Sequence, residues 1–306
     1  MPIKIHDNLP ARELLLNEVV DVINSSSAEK QDIRPLKFLL LNLMPKKLQT
    51  EVQFARLLGA SPLQIELTLM TTETYIPKNT KKEHLIEFYK TLDDIKHNFY
   101  DVLIITGAPV ETVPFEKVKY WKELKEIILW SSTNVFRKIG ICWGAQALLK
   151  ILHNIDKHSM KEKLFGVFDH NLNQENQYRL LQGFTNRFPM PVSRYTENKE
   201  HEIVSSGLEI LAFSQNSGIG MVRCPKTKDL FILNHLEYDA VTLKEEFLRD
   251  KLENIQTEIP ANYFPNDDTT KDPINRWRPY AFLLFTNFIN EVYQDVPFDY
   301  VTKNIT

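Results

Sequence analysis

Apolar residues in the first half of this chain come in short continuous runs, and in the second half they are spread through more polar, strand-like stretches. Residues 36–43 (LKFLLLNL) and 102–106 (VLIIT) do not alternate with polar positions, which is the pattern of strands buried on both faces. Residues 64–70 (QIELTLM) and 138–141 (KIGI) complete a set of four predicted strands. Segments of helical character lie between and after them, at 48–58, 81–92, 115–131 and 145–152. In the third of these, Trp121, Leu124, Ile127 and Ile128 fall on one face. Strands alternating with helices of this length predict an α/β fold built on a parallel sheet with helices on both faces.

Beyond about residue 160 the pattern turns strand-rich, with strands predicted at 208–214, 219–223 and 230–234, and helices at 242–252 and 282–293. Residues 1–34 are polar apart from a short amphipathic segment carrying Leu14, Leu15, Leu16, Val19, Val20 and Val22, and they read as an arm outside the main sheet. No repeat, low-complexity stretch or linker divides the rest. One domain is expected over 1–306, with an arm at 1–34 and an α/β domain with a C-terminal extension at 35–306.

Composition narrows the function. With 43% hydrophobic and 25% charged residues the chain can bury a large core, and a net charge of −3 gives no surplus for nucleic acid or a membrane surface. Two cysteines in 306 residues suit a reducing compartment rather than a disulfide scaffold. The charged N-terminus lacks the apolar core of a signal peptide, and no apolar run approaches a membrane span. A cytoplasmic protein with no nucleic-acid or membrane partner is expected. The eight histidines form no H-x3-H or Cys/His cluster, so no metal is expected. No phosphate-cradling glycine loop is present either.

The strongest chemical signal is Gly140-Ile141-Cys142-Trp143-Gly144, where an apolar run meets a cysteine between two glycines and a helix-forming run follows. That is the pattern of a nucleophile elbow, a sharp strand-to-helix turn that exposes a reactive side chain. The helix N-terminus would favour thiolate. A buried cysteine is also simply a small hydrophobe, and Cys224, in Arg223-Cys224-Pro225 with no such turn, reads that way. A nucleophile needs a base. His235 and Glu237 close the predicted strand 230–234, and two residues apart on extended backbone they project to one side. The amide of Trp143 and those of Gly107 and Ala108, at the end of the third strand, are candidate oxyanion donors.

The runs NLMPKK (42–47), TGAPVE (106–111), ICWGAQA (141–147), EKL (162–164), SRY (193–195), HLEY (235–238), RD (249–250), NYFP (262–265) and LLFTN (283–287) together resemble the homoserine O-acyltransferases of methionine biosynthesis, nearly end to end. The resemblance implies a flavodoxin-like fold related to class I glutamine amidotransferases, and a dimer. It implies ping-pong transfer in which Cys142 takes an acyl group from acyl-CoA, His235 activates an amino-acid hydroxyl and Glu237 orients His235. It assigns Lys163, Ser193 and Arg249 to the amino acid, and places Lys47 near the site as support for the oxyanion or CoA. Acyl-CoA enters as co-substrate, and no cofactor is implied. Glu111 stands where, in this family, glutamate goes with acetyl-CoA and glycine with succinyl-CoA. A carboxylate there fills the space of a longer acyl chain and repels its terminal charge.

Several positions depart from the family's pattern: Val192 before Ser193, Leu148 after the elbow, Asn234 and Leu236 around His235, and Arg278-Pro279-Tyr280-Ala281-Phe282 before the LLFTN run. Three of them, Val192, Leu148 and Phe282, add apolar bulk or remove a polar contact. A tighter pocket would suit L-serine, one methylene shorter than homoserine, and a methylene is worth about 1–3 kcal/mol of discrimination. Serine O-acetyltransferase is therefore the rival of homoserine O-acetyltransferase, with homoserine O-succinyltransferase beside it. A glutaminase subunit, which would share the elbow and the H-x-E pair, is the more distant reading.

Overall fold

The computed structural model describes residues 3–18, 22–23, 34–74, 80–173, 178–253 and 255–297. Its elements run β1 (Ile3–Lys4), α1 (Ala11–Asn17), β2 (Val22–Ile23), β3 (Leu36–Leu41), α2 (Lys47–Gly59), β4 (Ile65–Met70), α3 (Lys82–Phe88), β5 (Tyr89–Lys90), α4 (Leu92–Ile95) and β6 (Tyr100–Ile105). There follow α5 (Trp121–Asn134), β7 (Val135–Ile141), α6 (Trp143–His153), β8 (His158–Leu172), β9 (Arg187–Glu197), α7 (Glu200–Ser205), β10 (Glu209–Ser214), β11 (Gly218–Arg223), β12 (Leu230–Ile232), α8 (Thr242–Leu252) and α9 (Arg278–Asp295). The described strands form one sheet in the order β2-β1-β4-β3-β6-β7-β12-β11-β10-β8-β9, with β5 beside β4.

The continuous apolar runs behave as their pattern requires. Phe38 and Leu40 of β3 and Val102 and Ile104 of β6 point into one core cluster. Leu39, Leu41, Leu103 and Ile105 point into another on the opposite face. The first cluster is closed by Leu15, Phe54, Leu58, Leu284, Phe285 and Phe288 from α1, α2 and α9. The second is closed by Leu124, Ile127 and Ile128 of α5 and by Trp143 and Leu148 of α6. From Phe38 and Val102 onward every position of these strands is apolar because neither face meets water, while at their starts the Lys37 amide donates to the buried Asp101 Oδ2 at 2.7 Å.

Three features differ from expectation. The sheet is parallel only from β2 to β12 and becomes antiparallel through β11, β10, β8 and β9. The N-terminal arm joins the sheet: Ile3 pairs in parallel with Ile65 and with Val22, and Ile3, Ile5 and Leu15 are buried in the first cluster. Leu14 and Leu16 stay exposed, while Val19, Val20 and residues 24–33 lie outside the described residues. The helix expected at 81–92 stops at Phe88, because Tyr89 is drawn into the core, where its hydroxyl donates to Glu51 Oε1 at 2.6 Å. Thr91 then caps the separate α4 through Asp94. Similarly, the segment from Phe115 opens as a short 3-10 turn before α5. Among the described residues, no helix is long and apolar enough to cross a membrane.

Candidate active site

Cys142 stands between β7 and α6, at the end of the parallel half of the sheet. Its backbone has φ 49° and ψ −115°, a conformation L residues rarely adopt and which costs about 1–3 kcal/mol. The flanking glycines show why the turn is possible. A Cβ on Gly140 would lie 2.5 Å from Ala145 Cα, and one on Gly144 would lie 2.5 Å from the carbonyl oxygens of Ile105 and Thr106. Only glycine lets the elbow close this tightly against β6. The Cys142 amide donates to Ile232 of β12 at 2.7 Å, and its carbonyl accepts from Gln146 at 3.1 Å. The Trp143 side chain anchors the helix start in a cluster with Phe115, Tyr120 and Trp121.

His235 is buried, and on one side it faces Cys142, whose charge it feels. On the other, its Nδ1 lies 2.7 Å from Glu237 Oε1, so Nδ1–H donates to the carboxylate. Burial alone would lower the pKa of His235, but the charges of Cys142 and Glu237 and the hydrogen bond to Glu237 hold it well above the usual histidine value. The pair is not set by strand alternation as expected. β12 ends at Ile232, and the backbone leaves the ladder: Leu233 donates to Gly220, and His235 donates to Pro191 of β9 at 2.9 Å. His235 and Glu237 thus meet across a turn. Tyr238 stacks on the His235 ring, centroids 4.0 Å apart, and fixes its plane. Gly107 closes the other wall: a Cβ there would sit 3.3 Å from His235 Cε1 and 3.5 Å from Cys142 Cβ. Ala108 beside it is buried.

Glu111 lies half-buried on the loop after β6 and shares the field of Glu246, Lys163 and His235. Its pKa is raised, chiefly by burial and further by Glu246, against the pull of Lys163 and His235. Lys157 pins this loop by donating to the carbonyls of Glu111 and, at 2.9 Å, Val113. The charged run 161–163 is only partly solvated: the Lys163 side chain is 7% exposed and bonds Asp250 Oδ2 at 2.6 Å. Ser193 donates to Glu246 Oε2 at 2.6 Å, and Arg249 bonds Asp250 Oδ1 at 2.7 Å with its side chain 49% exposed. The structure therefore gathers Lys163, Ser193 and Arg249 around α8. Lys47 is engaged differently. It is buried, donates to the Asn42 carbonyl and lies over the Tyr89 ring, and burial pushes its pKa down to about 8 against the pull of Glu51.

Arg194, Tyr238, Glu246 and Asp250 were not predicted as site residues. Arg194 is fully buried beside the site, donates to the Ser217 carbonyl and feels the charge of Cys142. The signal for it was the SRY run itself, in which alternation turns Arg194 to the face opposite Ser193. Asn234 joins a buried polar group next to it, its Nδ2 donating to His170 Nε2 at 2.9 Å. Burial lowers the His170 pKa to about 4, and its Nδ1–H donates to Phe168, so this imidazole is a neutral acceptor. The other departures from the family pattern are packing positions. Leu148 and Leu236 lie in the two core clusters. Val192 is buried opposite Gly166, and Tyr280 packs on Phe184 and Phe188 with its hydroxyl 2.9 Å from Thr185. Phe282 packs against the first cluster. Cys224 is a free buried cysteine within the second.

Comparison with known proteins gives the family and the fold. The homoserine O-succinyltransferase family profile matches residues 2–298. A homoserine O-acetyltransferase of Allorhizobium ampelinum is 50% identical over 301 residues, covering 98% of this chain and 97% of the relative. One from Clostridium novyi is 49% identical over 302 residues, covering 98% and 100%. Among solved structures, a glutamine amidotransferase from Thermotoga maritima superposes with a TM-score of 0.57 at 15% identity, over 85% of this chain and 99% of that one. Another from Methylobacillus flagellatus gives 0.52 at 11% identity, over 85% and 95%. These structures share the fold, a class I glutamine amidotransferase-like α/β sheet.

Proposed function

The chain belongs to the homoserine O-succinyltransferase family of acyltransferases, and from that premise we propose that it moves the acetyl group of acetyl-CoA to the side-chain hydroxyl of L-homoserine. The observation that carries the mechanism is the buried line Cys142–His235–Glu237 at the elbow. The Cys142 sulfur attacks the acetyl carbonyl, the bond to the CoA sulfur breaks, and His235 returns a proton to CoA. The acetyl group is then held as a Cys142 thioester. His235 takes the proton of the acceptor hydroxyl as its oxygen attacks, the carbon–sulfur bond to Cys142 breaks, and O-acetylhomoserine leaves. The amides of Trp143 and of Gly107 or Ala108 receive the developing oxyanion in each step. Lys47 holds the β3–α2 connection by donating to the Asn42 carbonyl.

Acetyl-CoA is favoured over succinyl-CoA because Glu111 is drawn into the field of the catalytic and acceptor residues. Homoserine is favoured over serine because the bulky departures that suggested a narrower pocket are occupied in packing. Serving both ideas, CoA release is to be followed with each donor and each acceptor. Acetyl-CoA with homoserine should be the fastest pair. A serine kcat/KM more than roughly tenfold above that of homoserine would overturn the acceptor. On this reading the enzyme is a cytoplasmic homodimer that needs no cofactor, the dimer being checked by light scattering.

Glu111→Gly should open the donor site to succinyl-CoA and raise its kcat/KM relative to acetyl-CoA by about 10- to 100-fold, the scale of one removed like-charge clash. The raised pKa adds a signature. As pH falls through it, Glu111 becomes neutral and the repulsion is lost. The wild-type preference for acetyl-CoA should therefore weaken at acid pH, whereas the variant's donor ratio should follow only the titration of succinate itself. Identical pH profiles for the two proteins would rule out the electrostatic part.

A further inference from the structure

Glu246 lies on α8, half-buried, with its side chain 14% exposed. Two neutral groups hold it: Ser193 Oγ donates to Oε2 at 2.6 Å, and the Tyr238 hydroxyl donates to Oε1 at 2.8 Å. Hydroxyls orient a carboxylate without cancelling its charge. Among the described residues, the cation that comes within ion-pair distance of it, Lys163 Nζ, is 4.0 Å from Oε2 and belongs more closely to Asp250, 2.6 Å away.

Asp250 in turn is shared. It accepts from Lys163 and from Thr257 on Oδ2 and from Arg249 on Oδ1. One carboxylate set against two cations leaves Lys163, Arg249 and Asp250 with one net positive charge. Glu246, one helical turn before Arg249 and Asp250 and so on the same face, carries one net negative charge. Tyr238, which grips Glu246, also stacks on His235, so the negative pole adjoins the catalytic base. Glu111 and Arg249 both feel the Glu246 charge, which sets it near the loop that carries Glu111. Adjacent poles of opposite sign beside a general base match a zwitterion that bears a hydroxyl.

We propose that Glu246 binds the α-ammonium of the acceptor amino acid, while Lys163 and Arg249 take its α-carboxylate. Ser193 then acts as a positioning residue, through Glu246. This rests on the reading of the site as an amino-acid O-acyltransferase, and it goes further by naming the group that distinguishes an amino acid from a plain hydroxy acid. A buried ammonium loses its hydration, so a fixed carboxylate is what it needs in return.

The test separates the two half-reactions in Glu246→Gln. Acetylation of Cys142 by acetyl-CoA alone, followed by rapid-quench mass spectrometry, involves no ammonium and should proceed at a rate close to wild type. The kcat/KM for homoserine should fall by roughly 10- to 100-fold, mostly through KM, the cost of one lost charge-assisted hydrogen bond. With 4-hydroxybutanoate, which lacks the amino group, the wild type should be slow and the variant no slower. Glu246→Asp should recover part of the homoserine rate. If acetylation falls as far as transfer, or 4-hydroxybutanoate loses as much as homoserine, Glu246 only supports the fold and the proposal fails. If the wild type forms no acetyl adduct or acetylates no hydroxy amino acid, the acyltransferase reading itself falls first.

Discussion

Cys142→Ala should leave a folded protein that forms no acetyl adduct and has lost about 10⁴-fold or more of its transfer rate, the scale seen when a covalent nucleophile is removed. Incubation with acetyl-CoA should add about 42 Da to the wild type, the mass of an acetyl group less the thiol hydrogen it replaces, and nothing to the variant. The fold should survive for a specific reason. The strain at Cys142 is a backbone strain, φ 49° and ψ −115°, and alanine carries the same Cβ penalty. The glycines that make the turn possible and the hydrogen bond from the residue-142 amide to the Ile232 carbonyl are unchanged. Thermal unfolding should therefore shift little while activity vanishes. Cys142→Ser sharpens the test. It keeps the size, but a hydroxyl gives up its proton far less readily than a thiol, so transfer should remain severely impaired. An adduct on Cys142→Ala would place the acetyl group elsewhere, Cys224 included.

The parts of the fold legible in the sequence are those where one physical requirement acted alone. β3 from Phe38 to Leu41 and β6 from Val102 to Ile105 are apolar at every position because both faces are covered, so no competing demand blurred them. The elbow was legible because only glycine fits at 140 and 144. β8 and β9 were missed for opposite reasons. β8 begins with the charged, partly exposed stretch 158–163, which looks like a solvated loop. β9 carries Pro189 and Pro191, which argue against a strand, yet it lies at the end of the sheet order, where a missing amide costs little. The Pro191 carbonyl still serves, accepting from His235. The candidate site divides the same way. Cys142 stands in a local glycine-flanked motif and His235 and Glu237 are two residues apart, whereas Glu246 reads as one more charge on an amphipathic helix. Its meaning comes from Ser193 and Tyr238, which chain folding brings from β9 and the turn after β12.

Glu237→Gln should slow overall transfer by about 10²- to 10⁴-fold, and it should slow the second half-reaction more than the first. The amide is nearly the size of the carboxylate and can still accept Nδ1–H across the 2.7 Å contact, so the His235 ring keeps its place. What disappears is charge. Burial pulls the His235 pKa down, and the charges of Cys142 and Glu237 hold it up. With Glu237 neutral, burial gains and His235 becomes a weaker base. The first half-reaction tolerates this, because a thiol ionises readily and thiolate is intrinsically nucleophilic. The second does not, because an aliphatic hydroxyl reacts only as His235 removes its proton. The acetyl thioester should therefore accumulate in Glu237→Gln. Mass spectrometry during turnover with homoserine should show most of the variant acetylated, and the wild type less so. Equal slowing of both halves, with no accumulation, would mean that Glu237 sets the position of His235 and not its basicity.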